Sequence, residues 1–525
     1  MKRKDIISAT SRRPGRSNIL KGTLILTLAG FITRVIGFFY KIFLSKTIGA
    51  EWLGIYQLVF PVYGICFTVY ATGIQTSISR LVAAEMGKRN PKNAYKILKI
   101  GTLLSVSLAL LLSLLVYRFS DLIAYRFLLE PRSAMSLRIL ALVFPFCGVT
   151  SCINGFYYGL KKAAVPASTQ LLEQMIRVVV VYMVALYAGG GSLKVTCEIA
   201  VAGLVIGEIC SSLYNLISIF LTKPPASLLL QGPDPNAQPS GRRKITKSIL
   251  SFSVPLSANR LFINILHSLE AVLIPAMLKR SGLNTTEALS TFGILTGMSM
   301  PFIMFPTALI NALAVLLLPT VSEAQAISND KLIGKTTAVS IKYSLIIGII
   351  STGIFIIFGR ELGNAIFHNE AAGSYLRILA WICPLIYLTT TLGSIINGLG
   401  KAHITFINSV AGSFSKILLI VLLIPKFGIN GYLTALLVGQ LIVTSLDTLS
   451  VVRYIRFPFH AQDSILKPGL IVTLAGFLLK KVLVYTQKIT QINQAILILS
   501  FCLLFCVICI GLFMITHTVS HKDFR

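Results

Sequence analysis

Apolar stretches of about 20 residues recur from one end of the chain to the other, each long enough to cross roughly 30 Å of hydrocarbon as a helix. Fourteen spans are predicted, near residues 22–45, 53–79, 98–117, 137–159, 168–188, 198–221, 248–278, 289–318, 336–358, 375–398, 404–424, 431–452, 466–486 and 492–515. Apolarity is continuous within each stretch and does not alternate with period two, so helices are expected and a β-barrel is not. The pattern predicts an all-α polytopic membrane protein.

Composition agrees. Of 525 residues, 55% are hydrophobic and 13% charged, about half the charge density that keeps a soluble surface wet. The 48 Lys and Arg against 18 Asp and Glu would suggest nucleic acid in a soluble chain; between apolar spans they set orientation. With the N-terminus inside, the inner connections and tails carry roughly twice the Lys and Arg of the outer ones. Both termini are therefore expected in the cytoplasm, in a cytoplasmic membrane, and no nucleic-acid partner is expected. The first span is longer than a signal h-region and no small-x-small site follows it, so it is expected to stay as a membrane helix. Cys502, Cys506 and Cys509 share a helix face without His or a second CxxC pair, so neither a metal nor a cofactor is expected.

One connection is different in kind. Residues 222–247 carry Lys-Pro-Pro at 223–225, Gly-Pro-Asp-Pro at 232–235 and Arg242-Arg243-Lys244, a Pro-rich basic linker of the type that joins two bodies. The flanking halves resemble each other. Ile19-Leu20-Lys21 and Ile245-Thr246-Lys247 lie 226 apart, and at the same offset Arg34 falls on Arg260 and Lys41 on His267. Pro145, Gly159, Lys162 and Arg177 fall on Pro384, Gly398, Lys401 and Lys416 at offset 239. Basic residues in mid-membrane are rare, so their recurrence carries more weight than aligned leucines. The predicted organisation is an N-terminal six-helix lobe over 1–221, a linker over 222–247, a C-terminal six-helix lobe over 248–452, and two further spans with a tail over 453–525. Both lobes start on the same side, making them parallel repeats with a cavity expected between them.

Charged residues inside the spans indicate the chemistry. Gly30, Arg34, Gly37 and Lys41 share one helix face, and each buried cation costs roughly 2.5–3.5 kcal/mol on insertion scales. Such a stripe needs water, a counter-ion or an anionic substrate. Arg260, His267 and Glu270 form a second stripe in span 7, and Glu173 with Arg177, four residues apart, can pair locally in span 5. Lys416, the repeat mate of Arg177, has Gly412 where that acid would be. Arg34, Lys41, Arg177, Arg260, His267 and Lys416 are the candidate substrate-binding residues. Glu173, Glu208, Glu270 and Asp447 are candidates for binding a coupling H+ or Na+. Cations outnumber acids in this set, so the chamber should attract anions, and arginine's planar fork suits phosphate. Gly334-Lys335-Thr336 imitates the end of a phosphate-binding loop, but Asn329 stands where its first glycine would be. No catalytic motif and no room for an ATPase domain appear, so transport is expected and bond chemistry is not.

At the first two spans the residues become specific. Lys21-Gly-Thr-Leu-Ile-Leu-Thr-Leu-Ala-Gly-Phe-Ile-Thr-Arg-Val-Ile-Gly-Phe38, Ile48-Gly-Ala-Glu-Trp-Leu-Gly-Ile-Tyr56 and Ile78-Ser-Arg-Leu-Val-Ala-Ala-Glu85 resemble the polysaccharide-exporter branch of the multidrug/oligosaccharidyl-lipid/polysaccharide flippase superfamily. The resemblance implies a MATE-like fold of two six-helix lobes plus two C-terminal helices, the last pair forming a lipid groove. It implies an alternating-access flippase for an undecaprenyl-pyrophosphate-linked saccharide, a peptidoglycan precursor for spore cortex, with membrane lipid and cell-wall synthases as partners. Arg34 matches a cavity arginine of lipid-flipping relatives, whereas their next two align with Tyr40 and near Ile65. On this reading Arg34 and Arg260 hold the pyrophosphate and Lys41, Arg177 and Lys416 assist. The alternatives are a cation-coupled drug exporter of the same superfamily, which an acidic cavity would favour, and a membrane-embedded glycosyltransferase or ligase, which would need a carboxylate beside a large outer loop.

Overall fold

The computed structural model describes residues 14–88, 90–188, 196–221, 241–489, 493–516 and 518, and among them there are helices and no strand. Within hydrocarbon every backbone N–H and C=O must be satisfied inside its own segment, which leaves helices as the form these apolar stretches can take. Eleven helices are long and apolar enough to span, and a pair bent by 49°, Pro131–Ala141 with Phe144–Gly159, makes a twelfth. Two of the eleven contain two spans each. The helix Pro14–Phe67 turns at Gly49 (φ 78°) and Ala402–Tyr454 turns at Gly428 (φ 55°), backbone conformations that favour glycine. Among the described residues the total is fourteen, as the sequence predicts.

In chain order, α1 and α2 are the parts of Pro14–Phe67 before and after Gly49, α2 continuing through a π turn at Thr68–Thr72 to Gly87. Then come α3 (Pro91–Arg118), α4 (the bent pair), α5 (Ala164–Ala188) and α6 (Cys197–Leu221). The second lobe contains α7 (Arg242–Arg280), α8 (Thr285–Gly293 through a π turn and a break to Thr307–Ala326), α9 (Asp330–Phe367) and α10 (Glu370–Gly398). Either side of Gly428 lie α11 and α12, and α13 (Gln462–Ile489) and α14 (Gln494–Ile515) pack on α9. The expected linker falls mainly on 222–240, which lie outside the described residues. Its basic end, Arg242-Arg243-Lys244, is already helical, so α7 starts six residues before the expected 248.

Backbone landmarks bear the repeat. At offset 239, the helix-capping side chains of Asn90 and Asn329 correspond, each accepting from an N–H three residues on. Left-handed Leu129 corresponds to His368, and Lys161 to Gly400. The break of α4 before Phe144-Pro145 corresponds to the 3-10 turn of α10 before Cys383-Pro384.

The lobes meet at three seams. At the end of the bundle that carries Gly49, here the far end, a Cβ on Gly54 would press on the Leu289 carbonyl and one on Gly293 on the Ala50 carbonyl. Both residue pairs are 239 apart, so the contact maps onto itself under the repeat's two-fold relation, as an isologous interface does. The α2–α7 seam is also closed: Gly73 lets α7 approach at Ser253 and Ser257. The π turn frees the Thr68 carbonyl, which accepts from Ser257 Oγ at 3.2 Å, while Asn264 Nδ2 donates to Thr68 Oγ1 at 2.5 Å and the Gly64 carbonyl at 3.3 Å. The equivalent seam between α1 and α8 is open.

Candidate functional site

The open seam leads to Arg34. Toward the N-terminal end, a cavity of about 250 Å³ runs between Thr27, Gly30 and Phe31 of α1 and Asn311, Ala312 and Val315 of α8, with Arg34 in its wall. Arg34 also lines a second cavity of about 480 Å³ nearer the far end, with Lys41, Tyr40, Gln57, Gln174 and Arg177 on the N-terminal lobe and Met304, Phe305 and Thr307 on α8. One stripe of α1 thus faces both spaces, because Gly30, Arg34, Gly37 and Lys41 follow the helical repeat. Gly30 has nothing within 4 Å of where a Cβ would be, so it adds free volume.

Arg34 reaches across the seam. Its Nη1 donates to Thr307 Oγ1 at 2.8 Å, where α8 is broken at Phe305-Pro306 and Pro306 supplies no N–H. Phe38 packs edge-on to Phe302, and Phe31 and Phe38 lie against Phe305, so aromatic rings wall the guanidinium from the side. Among the described residues neither Arg34 nor Lys41 has a carboxylate partner. Arg177 does: it pairs with Glu173 on the same helix, and its Nη1 donates weakly to Gln174 at 3.4 Å. Arg34 and Lys41 thus stand beside an apolar wall without a paired carboxylate among the described residues. A low-dielectric chamber of this kind concentrates anions.

Three buried polar atoms around this cavity, Tyr40 Oη, Gln57 Nε2 and Arg177 Nε, have no hydrogen-bond partner among the described residues. Leaving such a donor unmade costs about 1–3 kcal/mol, so an acceptor-rich ligand that settles among them recovers energy the empty site forgoes. Sequence reasoning missed Tyr40, Gln57, Gln174 and Thr307 as site residues, since uncharged polar residues in a membrane span carry no cost signal comparable to a cation's. Their position on the Arg34–Lys41 face and its neighbours is the available cue.

The other sequence candidates lie elsewhere. Lys416 Nζ sits 2.6 Å from Glu270 Oε2, and His267 Nδ1 lies 3.7 Å from the same oxygen. Tyr432 donates to Glu270 Oε1 at 3.5 Å. The missing local acid of Lys416 is therefore supplied from α7, and the cluster is a closed ion pair in the C-terminal lobe. Arg260 is exposed on α7 with no carboxylate partner among the described residues, and neither it nor His267 nor Lys416 lines the two cavities around Arg34. Glu208 is buried on α6 within electrostatic reach of Glu173 and Arg177. It is close to them because Gly203 and Gly207 let α6 lie against the backbone of α5. Asp447 is buried on α12, where Asn408 Nδ2 donates to Oδ1 at 2.8 Å and Oδ2 is unpartnered. No group of three or more metal-ligating side chains occurs among the described residues.

With this geometry in hand, similarity to known proteins is specific. The chain is 25% identical over 466 residues to stage V sporulation protein B of Bacillus subtilis (strain 168), covering 88% of this chain and 89% of the relative. It is 23% identical over 449 residues to the lipid II flippase MurJ of the same organism, 81% of each. Its fold superposes on an inward closed structure of lipid II flippase MurJ with a TM-score of 0.63 at 16% identity, over 95% of this chain and 99% of that one. On an inward-facing multidrug resistance MATE family transporter of the MOP superfamily the TM-score is 0.64 at 16% identity, over 80% and 94%. The fold is the one these two solved structures share, and the chain is a multi-pass membrane protein. The signature of the polysaccharide biosynthesis protein family covers residues 19–325, more than half of the chain, and the chain belongs to that family.

Proposed function

We propose that the protein is an alternating-access flippase for an undecaprenyl-pyrophosphate-linked saccharide. The observation that carries this reading is the pair of cations without carboxylates, Arg34 and Lys41, beside an open seam and under a closed far end. A lipid-linked substrate must keep its tail in hydrocarbon while its headgroup crosses, and a gap between α1 and α8 allows that division. Arg34 grips the pyrophosphate, Lys41 adds a point charge about 10 Å farther along α1, and Tyr40, Gln57 and Gln174 take sugar or phosphate oxygens. Rocking of the lobes then breaks the Gly54–Gly293 contact and closes the α1–α8 seam. The tail follows the lipid-facing side near α13 and α14.

Arg260, His267 and Lys416 belong to the half of the cycle in which the second lobe turns toward the headgroup, and release of Lys416 from Glu270 would accompany that turn. Glu208 and Asp447, buried carboxylates in separate lobes, are the places for a coupling H+ or Na+. Similarity to stage V sporulation protein B and to a lipid II flippase supports a peptidoglycan precursor for spore cortex as cargo, with cell-wall synthases downstream. The bias of basic connections supports a cytoplasmic membrane with both termini inside. The test is flipping of a labelled pyrophosphate-linked saccharide in proteoliposomes. Arg34→Ala should slow flipping by about 10- to 100-fold, the worth of one or two charge-assisted hydrogen bonds, and Lys41→Ala should slow it too. Wild-type rates in both variants would remove the cavity from the mechanism.

A further inference from the structure

On the flank of the second lobe away from Arg34, the helices α9, α10 and α13 enclose a cavity of about 870 Å³ that shares no residue with the other two. Its walls are apolar over most of its length, from Leu345 and Ile465 through Ile356 and Val472. Fifteen residues separate Leu345 from Arg360, and Ile465 from Lys480, or about 22 Å along each helix. At the far end the lining changes to Arg360, Arg377, Lys480 and one acid, Glu361. Arg360 lies seven residues before the end of α9 at Phe367 and Arg377 seven after the start of α10 at Glu370. The two residues thus stand level with each other on adjacent helices, about 10 Å below the turn.

The backbone is shaped to hold them there. A Cβ on Gly359 would stand 2.9 Å from Arg377 Cγ, so the stem of Arg377 lies in the notch that this glycine leaves. Gly363 and Gly373 let α9 and α10 meet backbone to backbone just beyond. Lys480 is spoken for: it pairs with Glu361 and donates to the Ile357 carbonyl at 2.9 Å, tying α13 to α9. Arg360 reaches Glu370 only at 3.7 Å, at an exposed position, and Arg377 has no ion pair among the described residues. Two arginines on adjacent helices repel unless an anion lies between them, and guanidinium forks match phosphate oxygens. Below that mouth the cavity offers hydrocarbon contacts, and Trp381, Leu474 and Phe477 beside it are exposed.

We propose that this cavity is a binding site for an anionic glycerophospholipid, its phosphate between Arg360 and Arg377 and its acyl chains along α9 and α13. A soluble anion would use the mouth and leave the apolar length empty. A polyprenyl chain would overrun a groove about 22 Å long, whereas the acyl chains of a diacyl lipid match that length. A lipid so placed bridges α10 and α13, and so fastens the α13–α14 pair to the six-helix lobe.

The experiment is native mass spectrometry of the full-length protein, exchanged into detergent with equimolar phosphatidylglycerol and phosphatidylcholine. Wild type should retain phosphatidylglycerol over phosphatidylcholine by about tenfold, the value of one good charge-assisted contact. Arg360→Gln with Arg377→Gln should reduce that preference to about onefold, and Arg377→Lys should keep part of it. Variants are compared only as monodisperse protein, and Arg118→Gln, exposed at the end of α3 in the first lobe, should leave the preference intact. Equal retention of the two lipids by wild type would overturn the proposal, as would a preference that survives the double glutamine variant. Displacement of phosphatidylglycerol by inorganic phosphate or by undecaprenyl phosphate at lower concentration would also overturn it.

Discussion

The contact of Gly54 with Gly293 makes a sharp prediction, because it joins the lobes only while the far end is closed. In Gly293→Ala the added Cβ would press on the Ala50 carbonyl, 2.7 Å from the Gly54 nitrogen and 3.1 Å from the Ala50 carbonyl carbon. These neighbours are helical backbone, which cannot rotate aside as a side chain can. Overpacking of this kind costs about 1–3 kcal/mol. In a state with the far end open the two helices separate and the methyl costs nothing, so the whole penalty falls on one side of the equilibrium. The expected shift toward the open state is about 5- to 150-fold. Gly54→Ala should act likewise through the Leu289 carbonyl, whereas Gly511→Ala, with nothing within 4 Å of its Cβ, should not. Electron–electron distance measurements between labels at the exposed positions Lys46 and Thr286 would read the shift. Noncanonical residues can carry the labels, leaving the nine free cysteines in place. A longer-distance population should grow in both glycine variants. Unchanged distributions in both, from folded protein, would refute the gate.

Three further expectations follow from named contacts. Glu270→Ala strands Lys416 and should cost about 3–5 kcal/mol, as breaking a buried pair does, whereas Glu270→Gln with Lys416→Met should recover most of it in thermal unfolding. Gln57→Leu removes an unpartnered buried donor, so the empty protein should be no less stable, by up to about 1–3 kcal/mol more, while flipping falls. Asn264→Ala deletes both bonds to the π-turn region of α2 and should loosen the α2–α7 seam by about 1–2 kcal/mol, seen as faster amide exchange there.

Much of this architecture was legible in the chain because the bilayer imposes a length and forbids unpaired backbone. Fourteen apolar stretches, the repeat of basic residues and the Arg34–Lys41 stripe all follow from that. Helix ends were less legible: α7 begins at Arg242 and α9 at Asp330, beyond the apolar stretches, because helices continue into polar sequence once the backbone is hydrogen-bonded. Pairing across helices was not legible at all. Lys416 has Gly412 where a local acid would stand, and only packing brings Glu270 of α7 to it on α11. The same holds for Thr307, which meets Arg34 because α8 breaks at Phe305-Pro306. Gly54 and Gly293 were visible as residues, but their shared offset of 239 acquires meaning only when they touch.

The most direct test of the central claim is the affinity of the purified protein for three lipids with the same tail: pyrophosphate-linked, monophosphate-linked and uncharged. If Arg34 and Lys41 hold the headgroup by charge, the pyrophosphate form should bind at least about tenfold more tightly than the monophosphate form. That advantage should shrink in Lys41→Gln and in raised salt. Equal affinity for all three lipids, or a preference indifferent to both Arg34→Gln and Lys41→Gln, would contradict it.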